Sequence, residues 1–475
     1  MKFTKDEILR IRHQAAIGFE AMRAPVTGVS TDSRNVKQGD VFLAIRGEKF
    51  DGHNFVTTAV QSGSRVVVVD RRWAEANSAM MVSLNVPKLI VENTVLALGE
   101  IARLHRRKWK IPVLAVGGSN GKTTTKEMIR QVLSEKFKVL ATEGNLNNHI
   151  GVPLTILRLD RVHKIAVVEV GTNHFGEIKY LAEILEPTHG LITNIGHEHL
   201  EFFGTVQGVA KAEGELFDWL RENKGTALVN RDDSHLSRIS KGMKSIGYGM
   251  TAKSVDVKGT LAGFDECACP RVTIKPKGKK SLVIDLKVPG EHNARNALAA
   301  AAVGIHFKVP GTKIQKALSS FGASSKRMEM FSLAGVTILN DTYNSNPDSV
   351  VAALSTLRSM NTSGKRIAVL ADMLELGKEA MDQHRHIGLM VSRHNIEYLL
   401  TYGPLSKFTN DAAHAKFKIH YDQKNMLCEY LAELLSEGDV VLIKGSRGMK
   451  MEDVVEFLKV RLQADPKIGG GEKAA

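Results

Sequence analysis

The chain has 475 residues, with 65 Lys plus Arg against 51 Asp plus Glu and a formal charge of +14. At about 100 to 200 residues per domain, this length calls for three domains rather than a single core. Hydrophobic residues at 43% and charged residues at 24% exclude wholesale disorder and a fibrous repeat, and no apolar run approaches the roughly 18 residues of a membrane-spanning helix.

The chain opens on MKFTKDEILRIRHQAA, an amphipathic helix pattern without the apolar core of a secretory signal, so the protein is expected in the cytoplasm. Residues 26–70 read as short strands and turns around one helix, VTGVSTDSR, GDVFLAIRG and RVVVVD, which makes a small α/β module. The basic stretch RLHRRKWK at 103–110 reads as a solvated junction and leads into the apolar run VLAVGG at 113–118, with a boundary near 111. Strand-like runs IAVVEV (165–170), GLITNI (190–195) and TALVN (226–230) alternate with helical segments, the pattern of a mostly parallel sheet covered on both faces. Runs at 272–274 and 281–286 pair as a hairpin with KPKGKK as its solvated tip, and helices at 293–304 and near 312–321 close the middle domain near 325. VTILND (336–341), RIAVLADM, IEYLLTYG and DVVLIKGS then alternate with helices as a third, Rossmann-like domain. The fold class is therefore α/β in three domains, 1–110, 111–325 and 326–463, followed by a polar, Gly-rich tail at 464–475 expected to be disordered. Cys267, Cys269 and Cys428 have neither metal-ligand nor disulfide spacing and read as reduced thiols.

The strongest chemical signal is VLAVGGSNGKTTTKEMIRQVL, an apolar strand, a Gly-rich turn and a helix. In that context the backbone of Gly118, Ser119, Asn120 and Gly121 can cradle phosphates at a helix N-terminus, Lys122 can neutralise them, and the Thr123 hydroxyl, followed by Thr124, can ligate magnesium. The usual signature places a glycine where Val116 stands, so the loop is a shortened GGSNGKT. Open α/β sheets gather ligands at strand ends. Glu169 ends one strand run, and His197 and His199 follow another in NIGHEHLEFFG, so a carboxylate and an imidazole are available to complete a magnesium site. In the next helix, VQGVAKAEGELFDWL, Glu213 falls at the edge of the stripe formed by Val209, Ala212, Leu216 and Leu220, where a carboxylate is costly unless it is paired or bound to a cation.

These blocks, with STDSR and GDVFLAIRGEKFDGHNF before them and TEGNLNNHIGVPLT, PGEHNARNALAA, NDTYNSNPDS, LADMLELG and IKGSRGMKMED elsewhere, resemble the ATP-dependent Mur ligases of peptidoglycan synthesis over nearly the whole chain. The resemblance implies that ATP phosphorylates the terminal carboxylate of UDP-MurNAc-tripeptide and that the amine of D-Ala-D-Ala attacks the acyl phosphate. It also implies that Lys122, Glu169, His199 and Glu213 are the catalytic and metal-holding groups with Thr123, that Asn293 and Asn296 contact adenine, and that Arg327 and Asp341 reach the nucleotide from the third domain. Ser30, Asp32, Ser33 and Arg34 would lie near the UDP-sugar, Asn145, Asn147 and Asn148 on the substrate side, and Lys444, Ser446 and Arg447 near the incoming amine. ATP and Mg2+ are the implied cofactors, the partners are small molecules, and a monomer that neither enters a membrane nor binds nucleic acid is expected.

Three positions depart from the family pattern: Gly117 stands where many relatives carry Thr, Ala371 where Gly is usual, and Glu213 where the family generally has a carbamylated lysine. Glu213 keeps the negative charge without carbon dioxide, whereas Lys211, about 200° around the helix, points toward the polar stripe. One rival reading is a family member that adds a single amino acid to the muramoyl peptide, or glutamate to folate. The ligase acting one step earlier typically carries DNPR where this chain has YNSNPDS. The other rival, a nucleotide-dependent nucleic-acid binder, lacks the interleaved aromatics of a stacking platform.

Overall fold

The computed structural model describes residues 1–47, 50–323 and 325–464. The chain forms two compact units, one comprising 1–115, 137–171 and 177–189, the other 116–136, 172–176 and 190 onward.

In the first unit, β1 (Ala15–Ile17), β2 (Val29–Ser30), β3 (Val41–Leu43), β4 (Val66–Asp70) and β5 (Lys88–Val91) form a sheet in the order β1-β5-β4-β3-β2. Only β1 runs antiparallel to its neighbour. The continuous apolar runs of β3 and β4 are buried throughout, as parallel strands require. The expected opening helix is only Lys5–Ile8, with Thr4 and Glu7 forming a capping box. It ends early because the chain turns into the sheet, the Gln14 amide donating to the Ile90 carbonyl at 2.8 Å.

The basic stretch is not a solvated junction. Most of it closes the helix Thr94–Arg107, and Arg106 is buried, donating to the carbonyls of Leu185 (2.7 Å), Trp109 (2.6 Å), Ile111 (3.3 Å) and Glu186 (3.3 Å). Arg103 and Arg107 both pair with the Glu186 carboxylate. Much of this positive charge is therefore structural, a fact that charge counting along the sequence cannot detect.

β6 (Val113–Gly117) runs from the first unit into the second. Within the first unit the order continues β6-β8-β7, with β7 (Val139–Ala141) parallel to β8 (Ile165–Glu169). In the second unit, β9 (His189–Ile192), β10 (Thr226–Asn230), β11 (Ser245–Gly249), β12 (Val257–Phe264), β13 (Pro270–Pro276) and β14 (Leu282–Asp285) lie in sequence order. The β10, β11 and β12 strands pair in parallel, and β12, β13 and β14 pair antiparallel, so the expected hairpin is present with a further strand beside it.

The last sheet has the order β15-β16-β20-β17-β18-β19, from β15 (Glu329–Leu333), β16 (Val336–Asp341), β17 (Arg366–Ala371), β18 (Tyr398–Tyr402), β19 (Phe417–Tyr421) and β20 (Val440–Lys444). All pairings are parallel except that of the edge strand β15. Side chains alternate faces: Leu339, Ala368 and Leu442 pack on one side with Leu354 and Val391, while Ile338, Val369 and Ile443 pack on the other with Leu431 and Val455. This register sets Asp341 opposite Lys444 at the carboxyl edge of the sheet. The helix Glu452–Ala464 is the last described element, and 465–475, almost all of the expected tail, lies outside the described residues. No helix among the described residues is long and apolar enough to cross a membrane.

Candidate active site

In the second unit the Gly-rich loop connects β6 to the helix Lys122–Ser134. Gly118 (φ +113°) and Gly121 (φ +79°) occupy backbone conformations that L side chains rarely adopt. A Cβ on Gly118 would lie 2.7 Å from the Thr193 nitrogen, and one on Gly121 2.7 Å from Asn296 Oδ1. The loop is held from the segment after β9: Ser119 N donates to the Asn194 carbonyl (2.9 Å), Asn120 N to Asn194 Oδ1 (3.1 Å), and Gly196 N to Ser119 Oγ (2.8 Å). Lys122 Nζ folds back onto the carbonyls of Gly118 and Ser119 and pairs with Glu198 at 3.2 Å. Thr123 is buried in the first turn of the helix, and Thr124 is partly exposed.

Glu213 lies deeper than the edge position that the helical stripe suggests. It is 1% exposed, its Oε2 accepts the Gly118 amide at 2.7 Å, and its Oε1 has no partner. Burial pushes its carboxyl up to about 7, with nearby Lys122 pulling down and Glu198 pushing further up. Lys211, on the outer face of the same helix, is exposed over the Phe175 ring, its Nζ 5.4 Å from the centroid. The unpartnered oxygen of a buried carboxylate beside a phosphate-type loop fits a divalent cation. Among the described residues no group of three His, Cys, Asp or Glu side chains forms a ready cage. His199 has a left-handed backbone (φ +47°), and its Nδ1 lies 2.6 Å from Glu375 Oε2. The His199 hydrogen bond holds the Glu375 carboxyl below its ordinary value.

The third domain reaches the same loops. Asn346 Nδ2 donates to Asn120 Oδ1 (2.9 Å) while Asn346 caps the helix Pro347–Ser359, and Asp348 accepts the His197 amide (2.7 Å). The Arg327 and Arg447 guanidinium groups lie 3.7 and 5.4 Å from the Tyr343 ring centroid. Lys444 is buried and bound to Asp341 (2.6 Å) and the Asn344 carbonyl (2.9 Å), so these two predicted site residues engage each other. Ser446 Oγ accepts the Leu374 amide (2.8 Å) and donates to the Ser345 carbonyl (3.2 Å). Asn293 and Asn296 form a buried ladder: Asn293 donates to the Pro289 carbonyl and accepts from Asn296, whose Oδ1 accepts the Thr125 hydroxyl. The ladder supports the Gly-rich loop from behind.

In the first unit, Ser30 ends β2 and Asp32, Ser33 and Arg34 follow it closely. Asp32 caps the short turn Ser33–Asn35, and its hydrogen bond to Arg34 lowers its carboxyl to about 2. Asn147 Nδ2 donates to Glu169 Oε1 (3.0 Å), and the Thr142 hydroxyl accepts the Glu169 amide (2.9 Å). Asn147 N donates to the Asn145 carbonyl, and Asn148 Oδ1 accepts the amides of Ile150 and Gly151 at the start of a helix.

Glu198, Asn194, Tyr343, Asn346, Asp348 and Glu375 take part in these contacts without having been singled out in the sequence. Glu198 stands between the two histidines of GHEHL, but its burial arises from loop geometry that no periodicity reports.

A Gly-rich loop opening a helix, a buried carboxylate behind it and three α/β sheets define a P-loop protein built for phosphorylated ligands. Family models match the Mur ligase family catalytic domain at 25–106, the Mur ligase middle domain at 116–304 and the Mur ligase glutamate ligase domain at 326–447. The UDP-N-acetylmuramoyl-tripeptide--D-alanyl-D-alanine ligase of Haemophilus influenzae is 34% identical over 98% of this chain and all of its own length. That of Bacillus subtilis is 35% identical over 91% of this chain and 93% of its own. Among solved structures, MurF from Acinetobacter baumannii superposes with a TM-score of 0.88 at 29% identity, covering 97% of this chain and 99% of its own. MurF ligase from Thermotoga maritima in complex with ADP gives 0.80 at 26% identity, covering 92% and 98%. The chain belongs to the Mur ligase family.

Proposed function

We propose that the chain is an ATP-dependent ligase that joins D-Ala-D-Ala to the terminal carboxylate of UDP-MurNAc-tripeptide in peptidoglycan precursor synthesis, acting in the cytoplasm as a monomer. The observation that carries this reading is the loop 118–123 with Lys122 and the buried Glu213, in a chain matched over its length by relatives of that name. In this reading the substrate carboxylate attacks the γ-phosphorus and ADP departs. The dipeptide amine then attacks the acyl carbon, phosphate leaves with the bonding electron pair, and the amine proton passes to solvent.

The work of the protein is positioning and charge compensation. Lys122 and the start of its helix are assigned to the phosphates, and Asn293 and Asn296, which support the loop from behind, to the adenine side. Arg327 and Arg447, stacked on Tyr343, bring positive charge from the third domain. Ser30, Ser33 and Arg34 serve the UDP-sugar, Asn145, Asn147 and Asn148 the substrate side, and Lys444 and Ser446 the amine side. Domain limits near 110 and 325 accompany this assignment. Magnesium, when bound, would be held by Thr123, Glu213 and His199 and would supply positive charge that offsets negative charge on the transferred phosphoryl group. Glu213 carries its own charge, so activity is expected to be indifferent to bicarbonate.

The test is phosphate release with ATP, magnesium and UDP-MurNAc-tripeptide, comparing D-Ala-D-Ala with single amino acids. Release that requires the dipeptide supports the proposal. Release with a single amino acid instead moves the chain to the preceding ligase of the family.

A further inference from the structure

Nothing in the proposed reaction gives Glu198 a role. It is 7% exposed, and its Oε2 lies 3.2 Å from Lys122 Nζ. With the same ammonium turned toward the carbonyls of Gly118 and Ser119, the lysine is drawn back onto its own loop. A second carboxylate, Glu213, is fully buried within electrostatic reach of Lys122 and Glu198, with one oxygen unpartnered. Two carboxylates thus stand beside one ammonium before any ligand arrives. A bare polyphosphate must displace Glu198 from the lysine and approach these carboxylates in a weakly screened setting. A nucleotide that arrives with a divalent cation brings the missing positive charge.

We infer that Glu198 is a positioning residue that competes with phosphate for Lys122 and thereby makes nucleotide binding conditional on a divalent cation. The inference rests on the reading of the 118–123 loop as a nucleotide site. It is tested by calorimetric titration of ADP into the full chain, with excess magnesium and with EDTA, for wild type, Glu198→Gln and Glu198→Asp, each verified as folded by its melting transition. Wild type is expected to bind well with magnesium and poorly in EDTA. Glu198→Gln should bind ADP in EDTA about tenfold more tightly than wild type, the scale of one charge-assisted hydrogen bond, and shift less than about threefold with magnesium. Glu198→Asp, which keeps the charge, should retain the metal dependence of wild type. If the Gln variant does not melt cooperatively, Glu198→Ala replaces it with the same expectation. Equal changes in both conditions, or an Asp variant that behaves like Gln, would overturn the inference. A wild type that binds ADP in neither condition would refute the nucleotide reading and this inference with it.

Discussion

Replacing Glu213 by Gln is expected to stabilise the metal-free protein at high pH. The carboxyl is raised from an ordinary 4.5 to about 7 by burial, so the folded state favours the protonated form more than the unfolded chain does. Its stabilising contribution is complete below about pH 4.5 and is lost as the pH rises through about 7, where the folded state must ionise a buried group. The loss amounts to about 3 kcal/mol by about pH 8. Gln cannot ionise, and its carbonyl oxygen can still accept the Gly118 amide that Oε2 now holds at 2.7 Å. For a domain the size of the middle one, about 2–4 °C of melting temperature accompanies each kcal/mol. In calorimetry with EDTA, E213Q should therefore melt about 6–12 °C above wild type at about pH 8 and nearly level with it at about pH 4.5. A variant that melts below wild type at the higher pH, or an offset that does not change with pH, would refute the argument that Glu213 carries a desolvation penalty.

Gly118→Ala forces a side chain into a left-handed conformation against Thr193, and nucleotide titration should show at least a tenfold loss of affinity, on the order of 1–3 kcal/mol of strain. Lys122→Ala removes the ammonium assigned to the phosphates, and steady-state phosphate release should fall by about 10²–10³ in kcat/KM. Arg106→Met leaves the carbonyls of Leu185 and Trp109 without their buried donor, and denaturant unfolding should show a loss of about 3 kcal/mol with little change in kcat. If acyl phosphate is formed, an 18O-labelled tripeptide carboxylate should pass one label into the released phosphate, as read by mass spectrometry.

The sequence was most legible where local chemistry and periodicity coincide. The strands at 226–230 and 336–341 have the limits read from their apolar runs, and the Gly-rich loop stands between a strand and a helix as its composition requires. Buried polar groups were less legible. Arg106 reads as one more charge in RLHRRKWK, because two of its four carbonyl partners, Leu185 and Glu186, are about 80 residues away in the chain. The edge strand β15 was invisible, since a five-residue run of mixed polarity acquires its strand conformation from pairing with β16. Glu213 was legible as a misfit on an apolar stripe, but its full burial and its bond to the loop amide depend on tertiary packing. The pairing of Lys444 with Asp341 likewise follows from the register of β16 with β20, which no motif encodes.

The most direct test of the central claim is product analysis after one incubation of the purified chain with ATP, magnesium, UDP-MurNAc-tripeptide and D-Ala-D-Ala. The account requires a single new species with the mass of tripeptide substrate plus dipeptide less one water, formed in step with ADP and phosphate. ADP formation without that species, or the same yield when the dipeptide is omitted, would contradict it.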